Sequence, residues 1–391
     1  MRINRDLNNY PKHRKPCLKN ANNMYYSYIL ILILFWNSFS SLSAQEKTSL
    51  APNRWKTSIS ISSLYDNNIL KYSEKYLDRF EKKQDKGRFH INHADDIILQ
   101  SKAEISYSYN IIKNNASAIS VSADYNRYLN NTIKNWGQVG VGISQEISRP
   151  LTFDINYSYI PDFYVRHYRD ADWVKEIGYS PEAFKNFSFS KEDLGAVLLF
   201  KLDRNTRIRG YFSFLRYIHN KNFTEYDCNN FEYGIRLNRN IFSNFTFDIA
   251  YLYTVSRTTR RDEVVNLNNL IEYADASNNE HNINCGISYS LPKLFKKSNA
   301  VSLRFQYSRS NYISEIIPEK DPLHSGRIDN DYRLSFKYSI ELVNNFSTGI
   351  LFNWMKRVTD SEHSQNRETI SAEKDYDQIQ IGLNFAYNLN F

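Results

Sequence analysis

Residues 379–391 read Ile379-Gln380-Ile381-Gly382-Leu383-Asn384-Phe385-Ala386-Tyr387-Asn388-Leu389-Asn390-Phe391. Every odd position is apolar or aromatic, and every even position is small or polar. A period of two puts the two sets on opposite faces of an extended strand. One face of this strand suits an apolar medium along its whole length, and the other suits water.

The pattern recurs through the chain. Trp55, Thr57, Ile59 and Ile61 alternate with Lys56, Ser58 and Ser60, and Leu151, Phe153, Ile155, Tyr157 and Tyr159 with Thr152, Asp154, Asn156 and Ser158. Fourteen such segments are predicted, over 55–65, 97–109, 118–126, 137–147, 151–160, 194–201, 207–217, 231–238, 245–255, 282–291, 300–309, 332–342, 346–355 and 378–391. Three are less regular: Ser101 falls on the apolar face of 97–109, 194–201 is nearly apolar on both faces, and Leu351 and Met355 fall on the polar face of 346–355. The connectors alternate between short ones and long ones rich in Asn, Asp, Glu, Lys and Arg. That is the signature of an antiparallel meander with tight turns at one end and long loops at the other.

Mean hydropathy is −0.59 over the 391 residues, with 15% aromatics and 24% charged residues. Repeated helical spans are excluded, because each needs about 20 consecutive apolar residues. Disorder is excluded by the 41% hydrophobic content. A soluble sandwich would have to accommodate a polar face on which Asp124, Asp154, Arg209, Arg236, Asp248, Arg304 and Lys337 alternate with large aromatics. A membrane barrel accommodates it directly: apolar side chains face lipid and polar ones face a lumen. Backbone groups in lipid must all be paired, which demands closure, and fourteen is an even number. Tyr65, Tyr107, Tyr109, Tyr157, Tyr159, Tyr251, Tyr253, Tyr289, Tyr307, Tyr338 and Tyr387 lie toward strand ends on the apolar face, as interfacial girdles require. The expected fold is therefore all-β, an antiparallel up-and-down transmembrane β-barrel of about 14 strands with short periplasmic turns and long extracellular loops.

Residues 1–43 differ from the rest. Six basic residues oppose only Asp6, the apolar run Tyr28–Trp36 follows, and small residues lead to Ala44. This describes a secretory signal peptide, with initiation at Met1 or Met24. A short periplasmic segment (44–53) and the barrel (54–391) complete the expected organisation. Removing the leader lowers the net charge from +8 to +3, so the basic balance is no argument for nucleic-acid binding. Cys228 and Cys285 make no disulfide framework.

Signal peptide, alternation, loop asymmetry and the terminal Tyr387-Asn-Leu-Asn-Phe391 together resemble Gram-negative outer-membrane β-barrel proteins of porin-like type. The resemblance is architectural and covers 54–391. It implies an outer-membrane location, contact with outer-membrane lipid, and recognition of Tyr387, Leu389 and Phe391 by the barrel-assembly machinery. Neither the Asn-Pro-Ala hatch of fatty-acid transporters nor a separate plug or helical-repeat domain is recognisable before the barrel.

Candidate lumen residues fall in two basic groups, Arg207, Arg209 and Arg236, and Arg304, Arg333 and Lys337. Glu104, Asp124, Asp154 and Asp248 oppose them. Such walls can set a transverse field that selects solutes, or can pair to fill a closed lumen. The segment 161–193, with Asp170, Asp172 and Glu176, is the candidate constriction. The run His90-Ile-Asn-His93-Ala-Asp95-Asp96 holds ligand-type residues but reads as a solvated loop, so no metal or other cofactor is expected. His219 and His281 have no Ser or acidic partner at diagnostic spacing, and no catalysis is expected. Two functions remain: a channel for small hydrophilic solutes, or a non-conducting surface barrel whose loops bind an envelope protein or polysaccharide.

Overall fold

The computed structural model describes residues 54–112, 115–170, 177–178, 180–259, 275–294, 297–314, 317–319 and 321–390. Fourteen antiparallel strands close into a barrel in sequence order. They are β1 (Arg54–Asp66), β2 (Asp96–Tyr109), β3 (Ser117–Tyr128), β4 (Trp136–Ser148), β5 (Leu151–Arg169), β6 (Phe184–Lys201), β7 (Thr206–His219), β8 (Cys228–Phe242), β9 (Phe245–Thr258), β10 (Asn278–Leu294), β11 (Lys297–Tyr312), β12 (Arg327–Val343), β13 (Phe346–Ser361) and β14 (Tyr376–Asn390). β1 closes on β14, from Lys56↔Asn390 to Asp66↔Gln380, so no edge strand is left unpaired in lipid.

All fourteen predicted strands are present, and they extend farther at the loop end than the alternation reaches. β5 runs to Arg169 rather than ending at 160, β6 begins at Phe184 rather than 194, and β13 runs to Ser361 rather than ending at 355. Beyond the hydrocarbon layer both faces of a strand meet water or packed loops, so pairing continues after the apolar period stops. β5 also breaks its own period. Register shifts occur between Ile160 and Phe163 and between Tyr164 and Arg166, beside Pro161, which has no N–H for the ladder.

The odd-numbered apolar residues of β14 point outward, where Ile381 is 51% and Leu383 50% exposed, and Val139 of β4 is 56% exposed. The same holds for Ile59, Val121, Ile155, Leu198, Ile235 and Ile350. A continuous belt of this kind is incompatible with a monomer in water, and the chain is a membrane-spanning barrel. Tyr65, Tyr157, Tyr251, Tyr289 and Tyr387 stand in the same belt, and Trp55 packs against Tyr107 near the turn end in a tilted pair, with ring centroids 4.7 Å apart.

The turns are economical. Between β12 and β13, Asn345 takes a left-handed conformation (φ 68°) beside a register shift at Glu341/Val343, the usual way to close a short hairpin. The long connections are L1 (67–95), L2 (129–135), L3 (170–183), L4 (220–227), L5 (259–277), L6 (313–326) and L7 (362–375). L1 carries helix α1 (Glu74–Glu81) and L7 carries helix α2 (Arg367–Lys374).

Candidate functional site

L1 folds into the loop end of the barrel. Ile69, Leu70, Tyr72, Tyr76 and Ile91 form one buried cluster with the inward-facing Leu64 of β1, Ile98 of β2, Tyr128 of β3 and Tyr164 of β5, and Leu351 of β13 packs against it. The helix is short and amphipathic: Tyr76, Leu77 and Phe80 pack toward this cluster, while Glu74, Asp78 and Glu81 are on the open side. Such a helix is held by packing, not by its own propensity.

Polar groups fasten the loop at its root. Asn68 Nδ2 donates to Tyr72 O (2.8 Å) and Asp377 O (3.1 Å), and Tyr72 N donates to Asn68 Oδ1 (2.8 Å). Gln378 Nε2 donates to both oxygens of Asp66 (2.8 and 2.7 Å). Asp66, Asn68, Tyr72 and Gln378 are all nearly inaccessible to solvent, so each broken bond would leave a bare buried group. Farther along, Ser73 Oγ donates to Ala372 O (2.7 Å) and Lys75 pairs with Glu373 (3.3 Å), joining α1 to α2. Gly87 (φ 91°) lies so close to L3 that a Cβ would stand 2.2 Å from Pro181 O. The Arg166 guanidinium donates to the carbonyl of Leu70 and lies 4.7 Å from the Tyr72 ring centroid. L1 thus spans from the β13–β14 side of the lumen to the β5–β6 side.

The expected constriction is 161–193, and most of that segment is strand. Asp170 is buried where β5 ends; its N donates to Ala183 O (2.9 Å), and its carboxylate accepts from Asn222 Nδ2 of L4 (2.8 Å). Asp172 and Glu176 lie outside the described residues. Among the described residues, L1 packs most extensively against the inner wall, and it carries no alternation and reads as an ordinary polar loop with a few aromatics.

Below L1 the lumen wall is polar and charged. Arg304, Arg333 and Lys337 are brought together: they line one cavity of about 420 Å³ with Asp248, Asn284, Ser302, Gln306, Ser335 and Asn353. A second cavity of about 200 Å³ shares Gln306 and Arg333 and adds Lys71, Ser308, Asp331, Arg357 and Tyr376. Lys71 and Arg357 escape a reading by alternation, since the first is on L1 and the second lies past the last apolar repeat of β13. A hint was present in Asp331, which follows the Asp329-Asn330 pair at a strand start and needs a cation: Arg357 binds it at 2.9 and 2.8 Å.

The first basic group is also assembled. Arg209 and Arg236 are directly opposite on β7 and β8, and Arg207 is opposite Asn238. Like charges facing each other destabilise a sheet, and Asp248 on β9 offsets this, 3.9 Å from Arg236 and 3.5 Å from Arg304. The carboxylate reaches β11 across β10 because Gly286 stands between; a Cβ there would lie 2.2 Å from Asp248 Oδ2. The other acids lie on a different arc: Glu104 on β2, Asp124 on β3 and Asp154 on β5. In the closed ring, β5 stands across from β12. Lys102 on β2 is the local counter-charge, 3.9 Å from Asp124.

Three loop lysines, Lys71, Lys134 and Lys374, are shifted downward, burial being the largest cause in each. Lys134 of L2 is buried with its Nζ donating to Tyr164 O (2.9 Å), and enclosure, reinforced by Arg166 and Lys71, lowers it to about 7. Lys71 reaches lumen water, yet the surrounding wall removes much of its solvation. With Arg333 and Arg357 nearby, this brings it to about 8.

The remaining sequence candidates are occupied elsewhere. His90 stacks on His167, with centroids 3.5 Å apart. Asp95 accepts from Tyr65 (3.0 Å), and Asp96 accepts from Asn130 N and Asn131 N. His281 hydrogen-bonds Tyr251 at 2.8 Å in the outer aromatic belt, and His219 pairs with Asp227 at 3.4 Å. Tyr387 is outward, opposite Ile59 and Phe346, and Leu389 is opposite Thr57; Phe391 lies outside the described residues.

No family model matches the chain. No curated protein matches it either. Among solved structures it is similar to the outer membrane channel DcaP of Acinetobacter baumannii, at 8% identity and a TM-score of 0.46, covering 89% of this chain and 100% of that one. It is also similar to an anion-selective porin from Comamonas acidovorans, at 7% identity and a TM-score of 0.40, over 86% and 98% of the two chains. A third is the outer membrane protein OprD from Pseudomonas aeruginosa, at 8% identity and a TM-score of 0.39, over 89% and 96%.

Proposed function

We propose that this barrel is a channel for small hydrophilic solutes in the outer membrane of a Gram-negative envelope, reached after export directed by residues 1–43. The observation that carries the reading is the wetted, charged wall beneath L1: a cavity of about 420 Å³ lined by Asp248, Arg304, Arg333 and Lys337 inside a closed apolar shell. A wall of fourteen strands is too wide for side chains alone to fill. L1 is the constricting element in this reading, and the basic and acidic arcs give the transverse field. Tyr387, Leu389 and Phe391 serve the assembly machinery during insertion.

One observation favours the alternative of a non-conducting barrel that presents its loops to an envelope protein or a polysaccharide: α1 and α2 meet inside the loop end. Planar-bilayer recording of the refolded full chain separates the two. Discrete current steps in KCl support the channel, and a silent bilayer at high protein load refutes it.

A further inference from the structure

Lys71, Arg304, Arg333, Lys337 and Arg357 line the two joined cavities, against only Asp248 and Asp331. Both carboxylates are already engaged, Asp248 between Arg236 and Arg304 and Asp331 on Arg357 with the Tyr376 hydroxyl at 3.3 Å. Among the described residues Arg333 has no carboxylate in ion-pair reach; its guanidinium, with five donors, meets the Met355 sulfur at 3.0 Å. Lys71 has no ion-pair partner among the described residues; its Nζ lies 5.4 Å from the Tyr376 ring centroid, within the field of Arg333, Arg357, Asp331 and Asp66. Lys71 is also held in the left-handed region (φ 51°), where a lysine is uncommon and glycine is favoured. Lys71, Arg333 and Lys337 are all exposed to the lumen, and mobile anions concentrate at a concave wall that carries a cluster of cations. The neutral donors Gln306, Ser308, Ser335 and Asn353 stand among them.

We infer that this cluster is a binding site for a polyvalent oxyanion, a phosphate or an organic dicarboxylate, held between the wall residues Arg333 and Lys337 and the L1 residue Lys71. The inference rests on the channel reading for its purpose, since it names the solute class, but the site can be measured without conduction. Arginine forks match carboxylate and phosphate oxygens in pairs, and three cations with no carboxylate in ion-pair reach among the described residues favour a ligand with more than one charge over chloride. Because Lys71 belongs to L1, an occupied site ties that loop to β12.

Calorimetry on the detergent-folded full chain tests the site with sodium phosphate and sodium succinate as separate probes, and with chloride as the monovalent control. Saturable binding of either oxyanion is expected, weakened about tenfold or more when Arg333→Gln and Lys337→Gln are combined. Lys102→Gln, on the opposite arc, should leave binding unchanged. Lys71→Gly suits the backbone and removes one cation, so it should weaken binding even if the double variant does not fold. Heat-modifiable gel mobility reports folding. Absence of saturable binding by both probes, or equal affinity in Lys71→Gly and wild type, overturns the inference. Conduction without oxyanion binding leaves the channel standing and the site refuted; binding with a silent bilayer does the reverse.

Discussion

Asn68→Ala should release L1 while leaving the barrel intact. Asn68 is 1% exposed and makes three side-chain hydrogen bonds, two to Tyr72 and one to the Asp377 carbonyl. At about 1 kcal/mol net for each, the alanine variant favours the released loop by roughly 3 kcal/mol, and the stranded Tyr72 amide adds to this. Since about 1.4 kcal/mol is a factor of ten, the released population rises on the order of a hundredfold. Hydrogen exchange on the detergent-folded protein reads this directly: amides of 67–81 should exchange about a hundredfold faster, with β8–β10 unchanged. Bilayer currents, where present, should become larger or noisier in parallel. Unchanged exchange in 67–81 would show that the Asp66–Asn68–Gln378 network does not fasten the loop. A uniform acceleration in every strand would show that L1 is part of the barrel's global cooperative unit.

Gly286→Ala places a methyl 2.2 Å from Asp248 Oδ2, so the carboxylate must leave Arg304. Because that arginine is half-exposed to lumen water, the stability change should stay under about 1 kcal/mol, while the reversal potential in a KCl gradient shifts toward anions; a shift toward cations contradicts the assignment of Asp248. Leu383→Arg, on the lipid face, should lower unfolding stability from liposomes by about 2–4 kcal/mol, whereas Asn384→Arg on the lumen face should be nearly neutral. Equal losses would reverse the orientation of the strands. Succinate binding should weaken as pH rises through about 8, because the Lys71 ammonium is present below that value and lost above it. Arg333, Arg357, Asp331, Asp66 and Tyr376 face it, and a Lys71→Gly variant should show a flat profile over the same range.

The strands were legible because lipid and water impose a period on every residue between them. Ile379 to Leu389 could have no other regular reading, and the Tyr girdle marked where the period ends. The legibility stops there for the same reason. Above the belt, Tyr164 and His167 turn inward after the bulges at Pro161, and nothing in a two-residue period announces it. The lumen charges were legible as residue types on one face, and Arg304, Arg333 and Lys337 do share a cavity. Their contacts were not legible, because the reach of Asp248 to Arg304 depends on a missing side chain at Gly286 one strand away. L1 was hidden most completely. Its buried residues, Ile69, Leu70, Tyr72 and Tyr76, are scattered among charges, and only the facing Leu64, Ile98 and Tyr128 give them a surface to cover.

Two irregularities of the sequence reading, Leu351 and Met355, lie on the same inner face. Leu351 and Met355 stood on the polar face of β13, as did Leu64 on β1. In a barrel with an evenly wet lumen, apolar side chains there would be misplaced. They occur together on β1, β2, β3 and β13, the arc that L1 covers, and Met355 is 3% exposed. The apolar patch therefore marks where the lumen is dry, and Arg333 and Lys337 of β12, which have no carboxylate in ion-pair reach among the described residues, begin at its border, with Arg333 touching Met355. A barrel that only needed to be filled would continue the apolar patch or pair the charges. This one stops the packing at Lys71 and leaves a basic face next to it, which is the arrangement expected of a wall that meets a charged solute at the edge of L1.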